Sequence, residues 1–142
     1  MKMGQPVTRA AIDTGALLAL ASSKDQYHQR AVATEQLFRR GGGRWLGSAL
    51  VLGELHGHLL RRLQPDVARR TVSALLADPA FEWHEVTAEL LQGAIDRWLT
   101  RFADQKFSLT DAVTFELMRR ERLSTAFAYD QDFVIAGFEI LD

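Results

Sequence analysis

The sequence contains no cysteine. That excludes a disulfide framework and a zinc–thiolate site, and it fits a protein working in a reducing cytoplasm. No apolar run approaches the roughly 18 or more residues of a membrane-spanning helix. Met1 to Val7, ahead of the first apolar segment, lacks the hydrophobic region of a secretory signal. Charge of one sign is also missing: 17 Lys and Arg stand against 18 Asp and Glu, for a net charge of −1. At first sight this argues against a nucleic-acid partner. What is present is the composition of a globular chain, 142 residues of which 47% are hydrophobic and 25% charged. That length predicts one domain, residues 1–142, with enough core to fold without staples.

The most informative stretch is Ala10 to Leu20, nearly continuous apolar sequence interrupted by Asp13, Thr14 and Gly15. Burying an unpaired carboxylate is costly, so an acid at the end of an apolar run calls for an explanation. The pattern predicts a buried strand from Val7 to Ile12, a turn at Thr14-Gly15 and a helical segment from Ala16 to Leu20. Ligands of open α/β sheets bind beyond the carboxyl ends of the strands, where Asp13 would lie. Asp is also a good helix N-cap, and this stretch alone does not separate the two roles. The pattern returns late in the chain, where Ser124 to Tyr129 reads as a strand of small and aromatic residues ending at Asp130.

Between these ends, strand and helix signals alternate. A helix follows Ser22-Ser23-Lys24-Asp25, with Ala31, Val32, Leu37 and Phe38 as its apolar side, and Gly41-Gly42-Gly43 stops it. The glycine run lacks the lysine and hydroxyl of a phosphate loop and reads as a connector. Trp45 to Gly47 is a strand, and Ser48 caps a helix from Ala49 to about Leu63 that carries Glu54. Gly53 and Gly57 weaken that helix and predict close packing against another element. His56 and His58 lack zincin spacing and read as exposed or substrate-side residues. Arg61, Arg62, Arg69 and Arg70 surround a break at Gln64-Pro65-Asp66, as a solvated face or as a basic rim for phosphate.

A helix over Val67 to Leu76 ends at Asp78-Pro79, its apolar positions being Val72, Leu75 and Leu76. Phe81 to Val86 alternates like a half-exposed strand near an edge. Thr87 caps an amphipathic helix through Leu90, Leu91, Ala94, Ile95, Trp98 and Leu99. Ser108 and Asp111 match a capping box, which accounts for their spacing on structural grounds alone. That helix ends in Arg119, Arg120 and Arg122, as the helix dipole favours. The alternation predicts an α/β fold, a three-layer α/β/α sandwich around a central, mostly parallel sheet. Its strands are expected near residues 7–12, 45–47, 82–86, 125–129 and 138–141.

Four acids stand out in this frame: Asp13, Glu54, Asp111 and Asp130. Each has a local structural explanation, but one site explains all four together. Clustered carboxylates repel unless a cation joins them, and no lysine-bearing motif lies beside them to supply it. An all-oxygen ligand set suits hard divalent ions, Mg²⁺ or Mn²⁺. Two such ions can clamp an in-line displacement at phosphorus.

Four segments then carry a resemblance: IDTGALLAL from Ile12, LVLGEL from Leu50 to Leu55, SLTDAVTF from Ser108 to Phe115, and AFAYDQDF from Ala126 to Phe133. In that order they resemble the PIN domain family, the metal-dependent ribonuclease fold of the VapC toxins of toxin–antitoxin pairs. The resemblance implies that Asp13, Glu54, Asp111 and Asp130 form the catalytic, metal-binding pocket, with Asp13 and Asp111 as primary ligands. It implies supporting hydroxyls at Thr14 and at Ser108 or Thr110, and makes Asp132 a substitute or auxiliary for Asp130. It further implies an RNA substrate such as tRNA or rRNA, hydrolysis that leaves a 5′-phosphate, a cognate antitoxin protein and a homodimer. Setting the four pocket acids aside leaves 14 acidic against 17 basic residues, a remainder of +3. A modestly basic rim around a metal site suits a phosphodiester backbone.

Competing readings are weaker. A receiver domain needs adjacent acids where this chain has Asp13-Thr14, and a haloacid-dehalogenase-type phosphatase needs an acid where Gly15 stands. A structure-specific DNA nuclease carries more acids and a larger arch than this length leaves room for. A PIN-like module that binds RNA or protein without cleaving is the alternative of a different class.

Overall fold

Alternation in the central strands sets the architecture. Ala10 and Ile12 face one hydrophobic core while Ala11, between them, faces a second, as the two-residue period of a strand requires. A strand buried on both faces must be covered by helices on both. The computed structural model describes residues 7–141, so the signal reading at Met1 to Val7 lies, Val7 apart, outside the described residues.

The chain runs β1 (Arg9–Ile12), α1 (Thr14–Ala21), α2 (His28–Arg40), β2 (Arg44–Ser48), α3 (Ala49–Arg62), α4 (Pro65–Ala77) and β3 (Phe81–His84). It continues with α5 (Ala88–Ala94), which passes into a π-helical turn (Ile95–Leu99), then α6 (Leu109–Arg120), β4 (Thr125–Phe127), α7 (Asp132–Ile135) and β5 (Glu139–Ile140). The five strands form one sheet in the order β3-β2-β1-β4-β5, and every neighbouring pair is parallel. The α/β sandwich read from the alternation is therefore the observed fold, and β3 occupies an edge. Side chains of α1 to α4 pack on the face that carries Trp45 and Phe127. Those of α5, its π turn and α6 cover the face that carries Leu46 and Ala126.

Side-chain caps mark three helix starts, whereas α1 begins at Thr14, where a turn is expected, and α2 at His28 without a side-chain cap. Ser48, Thr87 and Ser108 each accept a backbone N–H in the first turn of α3, α5 and α6. Pro65 opens α4, a position where a missing N–H costs nothing. Gly42 takes a positive φ of 76° in the glycine connector after α2, a conformation other residues adopt at a cost. Among the described residues no helix is long and apolar enough to cross a membrane.

Several expectations need correction. Gly53 and Gly57 do not mark a close helix contact: a side chain at Gly53 would meet nothing within 4 Å, and Gly57 faces only Arg61 of its own helix. α3 packs instead through Val51, Leu55 and Leu59. Leu37 and Leu76, assigned to apolar sides, are 71% and 60% exposed. The helix through Leu99 is not regular, because Thr100 N donates to Ile95 O in a wide turn. That turn carries Trp98 onto α6, where its Nε1 donates to Glu116. α6 stops at Arg120, and Arg122 lies beyond it at a φ of 58°. β1, β4 and β5 are each shorter than the predicted spans.

Candidate active site

The strand order decides where a site can form. From β1 the chain steps outward to β2 and β3, and β4 then returns to pair on the other side of β1. Parallel sheets open a crevice at such a reversal, outside the carboxyl ends of the two strands. Here those strands are β1 and β4, tied at their ends by Asp13 N donating to Phe127 O at 3.0 Å. Asp13 follows the first and Asp130 the second.

A cleft of about 390 Å³ lies at this point, and Asp13, Glu54, Asp111 and Asp130 all line it. Asp13 has the extended backbone of an N-cap, but its side chain makes no capping bond. The cap role is thus not the one it plays. Its carboxylate is 7% exposed and its pKa is pushed up to about 7, first by burial and then by the charges of Asp111, Asp130 and Glu54. Glu54 arrives from α3, where Thr14 Oγ1 donates to its Oε1 at 2.8 Å. Thr14 therefore links the start of α1 to α3 across the cleft.

Asp111 sits in the first turn of α6. Its amide donates to Ser108 Oγ at 3.0 Å, one half of the capping box, and Ser108 also lines the cleft. Burial lifts the Asp111 pKa to about 6, with further contributions from the charges of Asp130 and Glu54. Asp130 follows β4, and its Oδ1 accepts the Asp132 amide at 2.9 Å in the turn that starts α7. Asp111, Asp130 and Asp132 each bring a carboxylate oxygen within 4.8 Å of the others. Asp132 is pushed above the ordinary carboxylate range by burial and by Asp130. Thr110 is buried in α6, its carbonyl accepting from Thr114 Oγ1, and is not among the residues that line the cleft.

The cleft also has walls that the four acids did not announce. His58 and Arg62, on the last turns of α3, line it, as do Asp25, Tyr27 and Tyr129. The sequence leaves the histidine as exposed or substrate-side and the arginine as part of a solvated face or a basic rim; both line the cleft. The tyrosines had no signal of their own, except that Tyr129 immediately precedes Asp130. Chemically, the donors at the centre are all oxygen, and burial together with neighbouring carboxylate charge raises Asp13 and Asp111 despite hydrogen bonds from Thr14 and Ser108. Hard divalent cations fit such a set, and no soft or thiolate ligand competes.

Comparison with known proteins identifies the family of this fold. The family described as PIN domain matches residues 10–139. The chain is 32% identical, over 127 residues, to the 23S rRNA-specific endonuclease VapC20 of Mycobacterium tuberculosis, covering 89% of this chain and 93% of that one. It is also similar to the crystal structure of M. tuberculosis VapC20, described as a Sarcin-Ricin loop cleaving toxin. The TM-score is 0.80 at 30% identity, over 91% of this chain and 95% of the other. FitAcB of Neisseria gonorrhoeae shares the fold with a TM-score of 0.67 at 14% identity, over 94% of this chain and 96% of that one.

Proposed function

The chain belongs to the PIN domain family as a VapC-type endoribonuclease toxin of a toxin–antitoxin pair, and from that premise we propose how its cleft cuts RNA. The reaction is hydrolysis of a phosphodiester bond that depends on Mg²⁺ or Mn²⁺. Asp13 and Asp111 are the primary ligands, with Glu54 and Asp130 completing the set and Asp132 auxiliary to Asp130. When bound, the divalent ion supplies Lewis-acid polarisation of a phosphoryl oxygen and lowers the pKa of water enough to attack phosphorus at neutral pH. No side-chain nucleophile is required.

The chain's own residues position everything else. Thr14 holds Glu54 by its hydrogen bond, and Ser108 fixes the α6 turn that carries Asp111. Arg62 and His58 bring donors to a wall of the cleft otherwise rich in carboxylates, where a phosphate of the substrate is met. Contacts of this kind hold the backbone and carry little sequence information. The substrate is a structured RNA, with ribosomal RNA favoured by what VapC20 cleaves. The products end in a 5′-phosphate and a 3′-hydroxyl. A cognate antitoxin protein, a homodimeric assembly and a cytoplasmic location complete the reading.

The observation that carries it is the convergence of four carboxylates from four separate elements on the cleft where β1 and β4 diverge. Purified protein free of antitoxin, incubated with total RNA and Mg²⁺, is expected to cleave, and EDTA or Asp13→Asn to stop it. Cleavage that persists in EDTA, or a fully active Asp13→Asn, would place the chemistry elsewhere. Folded protein that binds RNA and cuts it under no metal would be a binding module.

A further inference from the structure

Tyr27 precedes α2 and Tyr129 follows β4, yet their rings stack with centroids 4.2 Å apart and planes 9° from parallel. Both line the acidic cleft. Both also line a smaller hollow of about 160 Å³, together with Arg30, Ala128, Gln131 and Ile140. The stack is a wall shared by the two cavities. Phe127 meets the Tyr129 ring at 6.0 Å and 74°, and both tyrosines pack half-buried against the core that holds Phe127. The Arg30 guanidinium lies 5.6 Å from the centre of one ring and 5.4 Å from the other. At nearly equal distances it flanks the pair and does not cap its end. The loop that carries Tyr27 is set in advance, because Asp25 Oδ1 accepts the Tyr27 amide at 2.8 Å.

The rings of Trp45 and Phe127 are fully buried core aromatics; this pair is half-buried and stands beside a cleft carboxylate. Any nucleobase has a π face that can extend such a stack, and proteins read unpaired RNA by splaying its bases onto aromatic side chains. Gln131, in the adjoining hollow, carries an amide able both to donate and to accept at a base edge.

We infer that the Tyr27–Tyr129 stack is a nucleobase subsite of the cleft, taking one unpaired base of the RNA against the Tyr27 ring. The inference rests on the ribonuclease reading above and names how that cleft engages its substrate. Tyr27 and Tyr129 line the same cleft as Asp13, Glu54, Asp111 and Asp130, so a base on this stack belongs to a nucleotide held in the cleft that carries the carboxylates. The subsite thus takes a nucleotide close to the scissile bond, and it selects RNA whose base at that position is out of a helix.

The test uses the whole protein and a stem-loop RNA that it cleaves in the loop, together with copies made abasic at one loop position at a time. An abasic nucleotide next to the cut is expected to raise KM roughly 10-fold, the scale of one base–aromatic stack, with a much smaller change in kcat. Tyr27→Leu is expected to raise KM for the unmodified RNA by a similar factor, to add nothing for the abasic one, and Tyr27→Phe to restore it. A folded Tyr27→Leu with unchanged KM, or equal losses from abasic sites at every position, would overturn the subsite. Should Tyr27→Leu fail to fold, the abasic series on the unmodified protein decides alone. Anisotropy with labelled homopolymeric RNAs in EDTA separates this from the catalytic reading. Base-dependent binding that Tyr27→Leu removes, without cleavage in any metal, keeps the subsite and rejects the chemistry. Absence of both binding and cleavage rejects both.

Discussion

α6 carries two carboxylates with opposite fates. Asp111, in its first turn, is half-buried and its pKa is lifted to about 6. Glu116, further along, is only 2% exposed, yet its pKa is drawn down to about 2. Burial pushes both upward. The partners set the final direction. Around Glu116, Arg119 and Arg120 donate at 2.8–3.1 Å, Trp98 Nε1 donates at 3.1 Å, and Arg97 lies at 3.4 Å. Arg120 also forms two hydrogen bonds with Glu89 at 2.7 Å. Asp111 faces Asp130, Glu54 and Asp132 instead. One acid is held by arginines, and the other faces further carboxylates.

The contrast can be broken most severely at the cleft. Asp13→Asn keeps the volume and removes a charge from the proposed cation site, so RNA cleavage should fall by orders of magnitude. The metal-free variant should melt at or above the temperature of the parent as repulsion eases. A variant that loses activity by unfolding would show Asp13 to be structural.

The two regions should also answer pH in opposite directions. The Asp13 pKa is raised from 3.8 to about 7, so the folded state binds that proton more tightly than the unfolded one. The associated stability is complete below about pH 4 and drains away as pH rises through about 7, a change of at most about 4 kcal/mol. The Glu116 pKa is lowered from 4.5 to about 2, so its stability is present above about pH 4.5 and lost as pH falls through about 2. Thermal melts in EDTA should therefore decline from pH 5 to 8, and Mg²⁺ should restore them mainly at the alkaline end. A Mg²⁺ effect equal at pH 5 and pH 8 would disconnect the ion from these carboxylates.

A smaller loss is expected from Glu116→Gln, about 2 kcal/mol by urea denaturation. Removing one partner of a buried ion cluster is costly, but the arginines keep part of their surface in water, which moderates the loss. Smallest is Gly53→Ala, beside Glu54 on an open helix face. It should stabilise by about 0.5–1 kcal/mol, which calorimetry can read. A destabilised Gly53→Ala would restore the close packing that the sequence suggested and the structure does not show.

Legibility followed range. The strand-end acids were readable because a carboxylate closing an apolar run stands out locally, and the serine and threonine caps because each acts within its own helical turn. Asp111 was ambiguous for the same reason: a capping box and a site acid look alike along the chain, and Ser108 serves its amide whichever role the carboxylate has. Tyr27 gave no signal, since its partner lies at the other end of the chain. The π turn before Thr100 was hidden because helical periodicity registers which residues are apolar and not how tightly a turn is wound.

The sequence by itself determined the order of the strands and of the longer helices, the capped helix starts, the edge character of β3 and the set of acids worth following, but not the short α7. These depend on hydrogen bonds and side-chain alternation among neighbours in the chain. Only the tertiary structure decided that Asp13, Glu54, Asp111 and Asp130 share one cleft, that Tyr27 meets Tyr129, and that Glu116 is neutralised while Asp111 is not. A carboxylate's energy depends on the charges and donors within a few ångströms, and the parallel sheet, through its reversal at β1 and β4, sets which these are.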